Sequence, residues 1–153
     1  LMHIATSSDK IDISSEKQTE ELAKKIQEKL KLGDVVFLLG EIGVGKTTFV
    51  KYLINYYQKK NKIELSEVTS PTYNLLNEYN INEIKINHYD LYRVKYSKEL
   101  NDLNLFENNS NIITLIEWPH IIKEKPKHLI EMSFEYDDEY KKRYVQTKGL
   151  ILN

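Results

Sequence analysis

The residues best suited to chemistry lie in one short stretch, residues 40–47 (GEIGVGKT), which follows the pattern G-x(4)-G-K-T/S. Glycines let the backbone turn tightly and direct successive N–H groups at phosphate oxygens, and the N-terminus of a following helix attracts the same anion. In such a loop Lys46 reaches the β- and γ-phosphates of a nucleotide, and the Thr47 hydroxyl ligates Mg²⁺. The alternative is a plain glycine-rich turn with an exposed lysine, but the flanking apolar run and helix pattern favour phosphate binding.

A phosphate-binding loop of this kind needs an acid at the end of a neighbouring strand to hold Mg²⁺ directly or through water. Two residues qualify, since Asp90 follows the alternating run 84–89 and Glu117 follows the continuously apolar run 112–116. A continuous apolar run is typical of a buried central strand. We therefore predict Glu117 as the metal-side acid and Asp90 as the residue that positions water, metal or a switch loop, with the reverse assignment left open.

Further candidates flank these acids. Ser70 or Thr72 is a candidate to coordinate metal or water from a switch-type segment, although Ser-Pro-Thr is also a common turn. Arg93 is a candidate to stabilise transferred charge, or a structural salt-bridging residue. Trp118, which precedes a proline, fits the core and a ligand-facing position equally well. The histidines show no metal-binding spacing and are interpreted as structural.

The identity of the base is less direct. Guanine recognition needs an N-K-x-D element late in the chain, and the most similar string, residues 61–64 (NKIE), ends in Glu and directly follows the helix after the loop. ATP is therefore the predicted nucleotide.

Composition limits the remaining possibilities. The chain has 153 residues, no cysteine, 41% hydrophobic residues and a formal net charge of −1. Disulfides, thiolate metal sites and strong electrostatic attraction to nucleic acid or membrane are thereby excluded. No apolar run approaches the roughly 20 residues of a membrane span, so we expect a cytoplasmic protein. We expect residues 1–10, which begin with Leu1 and are polar, to be a frayed or non-native end, and residues 11–153 to form a single domain.

Periodicity supplies the elements that must position these residues. Ser15 and Gln18 form a capping box for a helix that Gly33 ends. A second helix is predicted from Thr47 to about Lys60, and a short one over 97–105. Strands are predicted around Ile11 and over 35–39, 73–79, 84–88, 112–116, 129–136 and 143–147. The resulting fold class is a single P-loop NTPase-like α/β domain with a central, mostly parallel sheet, helices on both faces and antiparallel strands at one edge.

Four strings taken together are specific to one family. Residues 40–48 (GEIGVGKTT), 68–73 (VTSPTY), 88–93 (HYDLYR) and 117–119 (EWP) occur in this order and spacing. They resemble the TsaE family of bacterial tRNA threonylcarbamoyladenosine biosynthesis proteins, and the resemblance spans about residues 11–147.

The resemblance implies a small P-loop ATPase that is weak alone and assists threonylcarbamoyl transfer to the adenosine next to the anticodon of tRNAs reading codons that begin with A. In the family, TsaD performs the transfer in complex with TsaB, and the ATPase acts on that complex. The implied cofactors are ATP and Mg²⁺. The implied partners are the TsaD and TsaB proteins, with tRNA engaged only indirectly through them and no membrane involved.

The resemblance also assigns residues. Lys46, Asp90 and Glu117 are implied to be catalytic, and Thr47 and Glu117 to ligate Mg²⁺. The implied nucleotide-binding residues are Glu16, Thr19, Glu41, Gly43, Val44, Gly45, Lys46, Thr47, Thr48 and Trp118. Of these, Glu16 and Thr19 are placed near adenine at the start of the first helix. The basic segment 141–143 resembles a nucleotide-contacting region.

Two other functions remain open. A small-molecule or nucleotide kinase shares the loop and the size but needs an acceptor pocket and usually an arginine-bearing lid, whereas Arg93 and Arg143 are the only arginines of the chain. A nucleotide-gated binding module would hydrolyse negligibly and signal through loop ordering.

Overall fold

The computed structural model describes residues 9–150 and 152, which form an α/β domain around a mixed sheet of seven strands. Along the chain the elements are β1 (Ile11–Asp12), α1 (Glu16–Lys29), β2 (Val35–Leu39), α2 (Lys46–Lys60), β3 (Leu76–Ile81), β4 (Ile84–Asp90), a first 3₁₀ helix (Ser97–Leu103), β5 (Ile112–Glu117), a second 3₁₀ helix (Pro119–Ile121), β6 (Leu129–Tyr136) and β7 (Arg143–Lys148). The terminal segment predicted as frayed or non-native lies outside the described residues, except for residues 9 and 10.

The strands are ordered β1-β7-β6-β2-β5-β4-β3. The four central strands β6, β2, β5 and β4 are parallel, which confirms the predicted parallel centre. Antiparallel pairing occurs at both edges of the sheet, where β3 pairs with β4 and β7 pairs with β6 and β1. The prediction of one antiparallel edge was wrong because a hairpin closes each side of the sheet.

The two faces of the sheet are covered differently. Val36 and Leu38 of β2 belong to the same buried cluster as the apolar residues of both α1 and α2. Val35 and Phe37 point to the other face and pack with residues of the two 3₁₀ helices and adjoining loops. The predicted helices on both faces are thus α-helices on one face and 3₁₀ helices on the other.

The helix α1 begins as its sequence predicts. The Ser15 hydroxyl accepts a hydrogen bond from the backbone N–H of Gln18 at 3.2 Å, and the Gln18 side chain accepts one from the Ser15 backbone N–H at 3.0 Å. Its end differs, because α1 stops at Lys29 and not at Gly33. Gly33 instead has a φ of 92° in the turn that leads into β2.

The parallel strands bring their carboxyl ends to one edge of the sheet. In the register of β4, β5 and β2, Glu117 lies beside Asp90 on one side and Leu38 on the other. Residues 72–74 lie in a turn before β3 and not in the predicted strand, since the Leu75 N–H bonds to the Thr72 carbonyl at 3.3 Å. The acids, the turn and the start of α2 therefore meet at the same edge.

Candidate functional site

The glycine-rich loop, residues 40–45, joins β2 to α2 with a tightly folded backbone. Gly40, Gly43 and Gly45 have φ values of 145°, 83° and 115°, a region that favours glycine. A Cβ at Gly40 would lie 2.6 Å from the Phe134 carbonyl oxygen, so the loop base also needs glycine for space. Val44 is fully buried in the core between the glycines. The loop is thus anchored at its base, and its tip is exposed.

Lys46, the first residue of α2, is buried with 4% of its surface exposed. Its Nζ donates a hydrogen bond to the Gly40 carbonyl oxygen and lies 3.9 Å from the centre of the Trp118 ring. Burial lowers the pKa of the Lys46 amine, and the nearby Glu117 and Asp90 carboxylates oppose this shift. The amine is therefore held under the loop, close to two acids and poorly hydrated.

Thr47 is the point at which three elements meet. Its Oγ1 lies 2.7 Å from the Ser70 hydroxyl, in the segment before β3. The same Oγ1 donates towards the Glu117 carboxylate, at 3.2 Å from Oε1 and 3.4 Å from Oε2. Of the two acids that the sequence left as alternatives, Glu117 is thus the one in contact with Thr47.

Glu117 is itself buried, with 2% exposure. Its Oε2 lies 2.7 Å from Nε2 of His88, which is fully buried on β4. The structural role predicted for His88 does not include this contact. The string His-Tyr-Asp held the signal, because residues two apart on a strand point to the same face and His88 therefore shares its face with Asp90.

Asp90 ends β4 beside Glu117 and is half-buried. Its Oδ1 accepts a hydrogen bond from the Tyr92 backbone N–H at 3.0 Å. Burial raises the pKa of the Asp90 carboxyl; the Tyr92 N–H opposes the rise, whereas the Glu117 charge adds to it. Asp90 therefore lines the cleft and is held by a backbone N–H, whereas Glu117 is held by the side chain of His88.

Trp118 follows Glu117 in the left-handed backbone conformation, with a φ of 58°. Its ring centre lies 4.9 Å from that of Tyr92 in a tilted arrangement and 6.2 Å from that of His120 in an edge-to-face arrangement. Together with the contact to Lys46, this packing places the indole at the wall of the cleft and not in the core.

These groups surround a cleft of about 410 Å³. The predicted site residues that line it are Gly43, Gly45, Lys46, Thr47, Thr48, Asp90, Glu117 and Trp118, together with the additional candidates Ser70, Thr72 and Arg93. The structure therefore brings the loop, both acids and the switch-type segment into one site.

Four predicted nucleotide-binding residues do not line the cleft. Glu41 is exposed beside it, and the Val44 side chain points into the core. Glu16 accepts a hydrogen bond from the Tyr52 hydroxyl at 3.1 Å on the surface. Thr19 is buried, and its hydroxyl donates to the Ser15 and Ile13 carbonyls at 3.3 and 3.4 Å. Contacts of Glu16 and Thr19 with adenine, and of Glu41 and Val44 with the nucleotide, stay a prediction.

Two more residues that sequence reasoning did not assign contribute to the loop. The Tyr136 hydroxyl donates a hydrogen bond to the Gly43 carbonyl oxygen at 2.8 Å. Arg143, known from the sequence only as part of a basic segment, lines the cleft and donates to the Ser14 carbonyl at 3.3 Å. A Cβ at Gly45 would lie 3.3 Å from its Nη1, so Gly45 leaves space for the guanidinium. Both residues come from the β6–β7 hairpin, far from the loop in sequence.

The donor atoms of the cleft suit Mg²⁺. Within the described ranges 9–150 and 152, no group of three or more His, Cys, Asp or Glu residues could hold a metal ion by itself. Mg²⁺ in nucleotide sites is commonly held by one or two protein oxygens together with phosphates and water. The Thr47 hydroxyl and the Glu117 carboxylate, already in contact, provide such a set.

Comparison with known proteins agrees with these features. The family model described as Threonylcarbamoyl adenosine biosynthesis protein TsaE matches residues 13–145. A Rickettsia bellii protein named tRNA threonylcarbamoyladenosine biosynthesis protein TsaE is 40% identical over 131 residues, covering 85% of this chain and 88% of that protein. Its namesake from Aquifex aeolicus is 38% identical, covering 86% and 90%. The crystal structure of Bacillus subtilis YdiB matches with a TM-score of 0.65 at 25% identity, covering 96% of this chain and 88% of that one.

The fold and the cleft define an α/β protein with a glycine-rich loop at its central strand-to-helix junction. The chain belongs to the TsaE family. Among the helices of the described part of the chain, none combines the length and apolar character that a membrane crossing needs.

Proposed function

We propose that this protein is a Mg²⁺-dependent ATPase of P-loop NTPase-like fold that acts in the biosynthesis of threonylcarbamoyladenosine in tRNA. The convergence of Lys46, Thr47 and Glu117 in one cleft at the glycine-rich loop is the observation that carries the proposal. The family and the names of the relatives support the biosynthetic role.

The loop and Lys46 supply the phosphate site. Backbone N–H groups at the N-terminus of α2 favour an anion, and the Lys46 ammonium adds a full positive charge. This ammonium donates a hydrogen bond to the Gly40 carbonyl oxygen. We expect phosphate oxygens to replace that carbonyl as its acceptor, because a charge-assisted hydrogen bond to an anion is the stronger of the two.

Thr47 and Glu117 are proposed to hold the metal. When bound, Mg²⁺ neutralises charge that develops on the phosphates. The Thr47 hydroxyl and Glu117 carboxylate are already 3.2 Å apart, so little rearrangement is needed to bring both to one ion. Asp90 is proposed to orient the attacking water. Its carboxylate lines the same cleft and accepts a hydrogen bond from the Tyr92 N–H, whereas Glu117 is the acid in contact with Thr47.

The proposed partners are the TsaD and TsaB proteins, through which the chain acts on tRNA indirectly. The formal net charge of −1 supports this division, because proteins that bind RNA tightly by themselves normally carry a clear positive excess.

The test is ATP hydrolysis by the purified chain with and without cognate TsaD and TsaB. We expect slow hydrolysis alone and at least about a tenfold increase with both partners, which corresponds to about 1.4 kcal/mol of barrier. Glu117→Gln is the matched variant, since it keeps the size of the side chain but removes the negative charge and one of the two acceptor oxygens. Phosphoryl transfer to a small acceptor without partners would identify a kinase instead. A rate that stays negligible with both partners would identify a nucleotide-gated binding module.

A further inference from the structure

We propose that His88 is a positioning residue that fixes the Glu117 carboxylate for a divalent cation. This inference rests on the proposed function, because it concerns the metal that Thr47 and Glu117 would hold. It goes beyond that function by assigning a role to a buried histidine on β4 that does not line the cleft.

The sheet register places the two side chains together. β4 and β5 are parallel, with His88 beside Leu115 and Asp90 beside Glu117. His88 is thus offset by two residues from Glu117 and faces the same side of the sheet. The result is a contact of 2.7 Å between Nε2 and Oε2, with 0% of His88 and 2% of Glu117 exposed.

The two carboxylate oxygens differ in their shortest contacts, although both lie within 3.4 Å of the Thr47 hydroxyl. Oε2 has its shorter contact with His88, and Oε1 has the shorter of the two distances to Thr47, at 3.2 Å. One oxygen is therefore fixed from inside the sheet, and the other is directed at the residue that begins the metal site. A carboxylate held in this way loses little rotational freedom when it binds a cation.

The other ring nitrogen supports the same assignment. In the described part of the chain, Nδ1 of His88 is buried and has no hydrogen-bond partner. With hydrogen on Nε2, the ring donates to Glu117 and leaves only a lone pair unpartnered at Nδ1. An unpartnered buried polar atom costs free energy, so packing alone does not explain histidine at this position.

The experiment compares His88→Gln with His88→Asn in the full chain. The amide nitrogen of Gln falls near the position of Nε2, whereas that of Asn falls near Nδ1 and is too far back to reach Glu117. Mn²⁺ is titrated by electron paramagnetic resonance in the presence of a non-hydrolysable ATP analogue. Binding of the analogue is measured separately in EDTA, and the melting temperature is recorded for each variant.

We expect His88→Asn to weaken Mn²⁺ binding by about 10- to 100-fold, the range typical of partners that orient metal ligands. His88→Gln should stay within about threefold of the wild type. Affinity for the analogue in EDTA should be unchanged in both variants. Equal Mn²⁺ affinity in all three proteins, or an equal loss in both variants, would overturn the inference. A wild-type protein that binds the analogue without any effect of metal would instead overturn the proposed Mg²⁺ dependence.

A second measurement applies if His88→Asn does not fold. Nitrogen-15 NMR of histidine-labelled wild-type protein reports which ring nitrogen carries hydrogen. We expect His88 to carry it on Nε2 and its resonances to shift when Mg²⁺ is added with the analogue. Hydrogen on Nδ1 alone, or resonances that ignore Mg²⁺, would contradict the proposed role.

Discussion

The two walls of the cleft are built differently. The inner wall comprises the loop 40–45 with Lys46, Thr47 and Glu117; the Lys46 and Glu117 side chains are at most 4% exposed, and Thr47 is half-buried. The outer wall comprises residues 70–75 with Tyr92 and Arg93, where Tyr73 is 91% and Tyr92 53% exposed. One short hydrogen bond, 2.7 Å between the Thr47 and Ser70 hydroxyls, joins the two walls.

The difference follows from how each wall is supported. The inner wall lies where β2 leads into α2 and where β5 ends at Glu117, and the parallel pairing of β2 with β5 fixes these positions. The outer wall lies in two turns, one before β3 and one after β4, where the Arg93 guanidinium lies 5.6 Å from the Tyr73 ring and the Tyr92 ring lies 4.9 Å from that of Trp118. A site of this kind keeps its charged groups preorganised on one side and leaves the other side free to rearrange.

Removal of the inner-wall ammonium should have the largest effect. We expect Lys46→Ala to weaken ATP binding by more than about 100-fold, because loss of a buried cation at an anion site typically costs several kcal/mol. Isothermal titration calorimetry measures the change. Lys51→Ala is the control, since Lys51 is exposed on the same helix and should leave ATP affinity unchanged.

Folding should survive this substitution. Burial lowers the pKa of the Lys46 amine, so keeping this amine charged costs free energy of folding that the Ala variant does not spend. Near-normal ATP affinity in folded Lys46→Ala would show that the inner wall is not the phosphate site, and the comparison between the walls would then lose its functional meaning.

The second prediction concerns the glycine-rich loop, whose base at Gly40 is packed against Phe134 and whose tip at Gly43 is exposed. Gly40→Ala should destabilise the fold by about 3 kcal/mol, because the new Cβ meets the Phe134 carbonyl at 2.6 Å in addition to the unfavourable φ. Gly43→Ala should cost only about 1 kcal/mol, since its Cβ would meet the Tyr136 hydroxyl at 4.0 Å, an ordinary contact, and only φ is unfavourable. Urea unfolding of the ligand-free proteins measures both values. Equal losses would mean that backbone strain alone, and not packing at the base, decides the stability of the loop.

The inner wall was also the more predictable from sequence. Residues 40–47 are contiguous, and the strand and helix that flank them have clear apolar patterns, so β2 and α2 are confirmed within one residue. The contact between Thr47 and Glu117 spans 70 positions, yet it follows from the rule that parallel strands end at one edge.

The contacts that could not be predicted depend on the order of the strands and on which elements cover each face of the sheet. The contact of His88 with Glu117 requires β4 to be the neighbour of β5, and the hydrogen bond from Tyr136 to Gly43 requires β6 to lie beside β2. Strand order is set by the packing of the whole domain, which a single sequence does not display. The same limit explains why the 3₁₀ character of the helices on the second face was not predicted, because the apolar run of β2 shows that Val35 and Phe37 are covered but does not show which elements cover them.

The smallest expected effect lies in the outer wall. Tyr73→Ala should change the free energy of unfolding by less than about 1 kcal/mol, because the side chain is almost fully exposed and its contact with Arg93 is a surface one. For a chain of this length the melting temperature should therefore move by no more than about 4 °C.

Hydrogen exchange tests the mobility of the outer wall directly. Amides of residues 70–75 should gain protection when Mg²⁺ and an ATP analogue are added, while amides of β2 should not change. A large loss of stability in Tyr73→Ala, or the same exchange response in both regions, would show that the outer wall is as fixed as the inner one, and the cleft would then have no moving part.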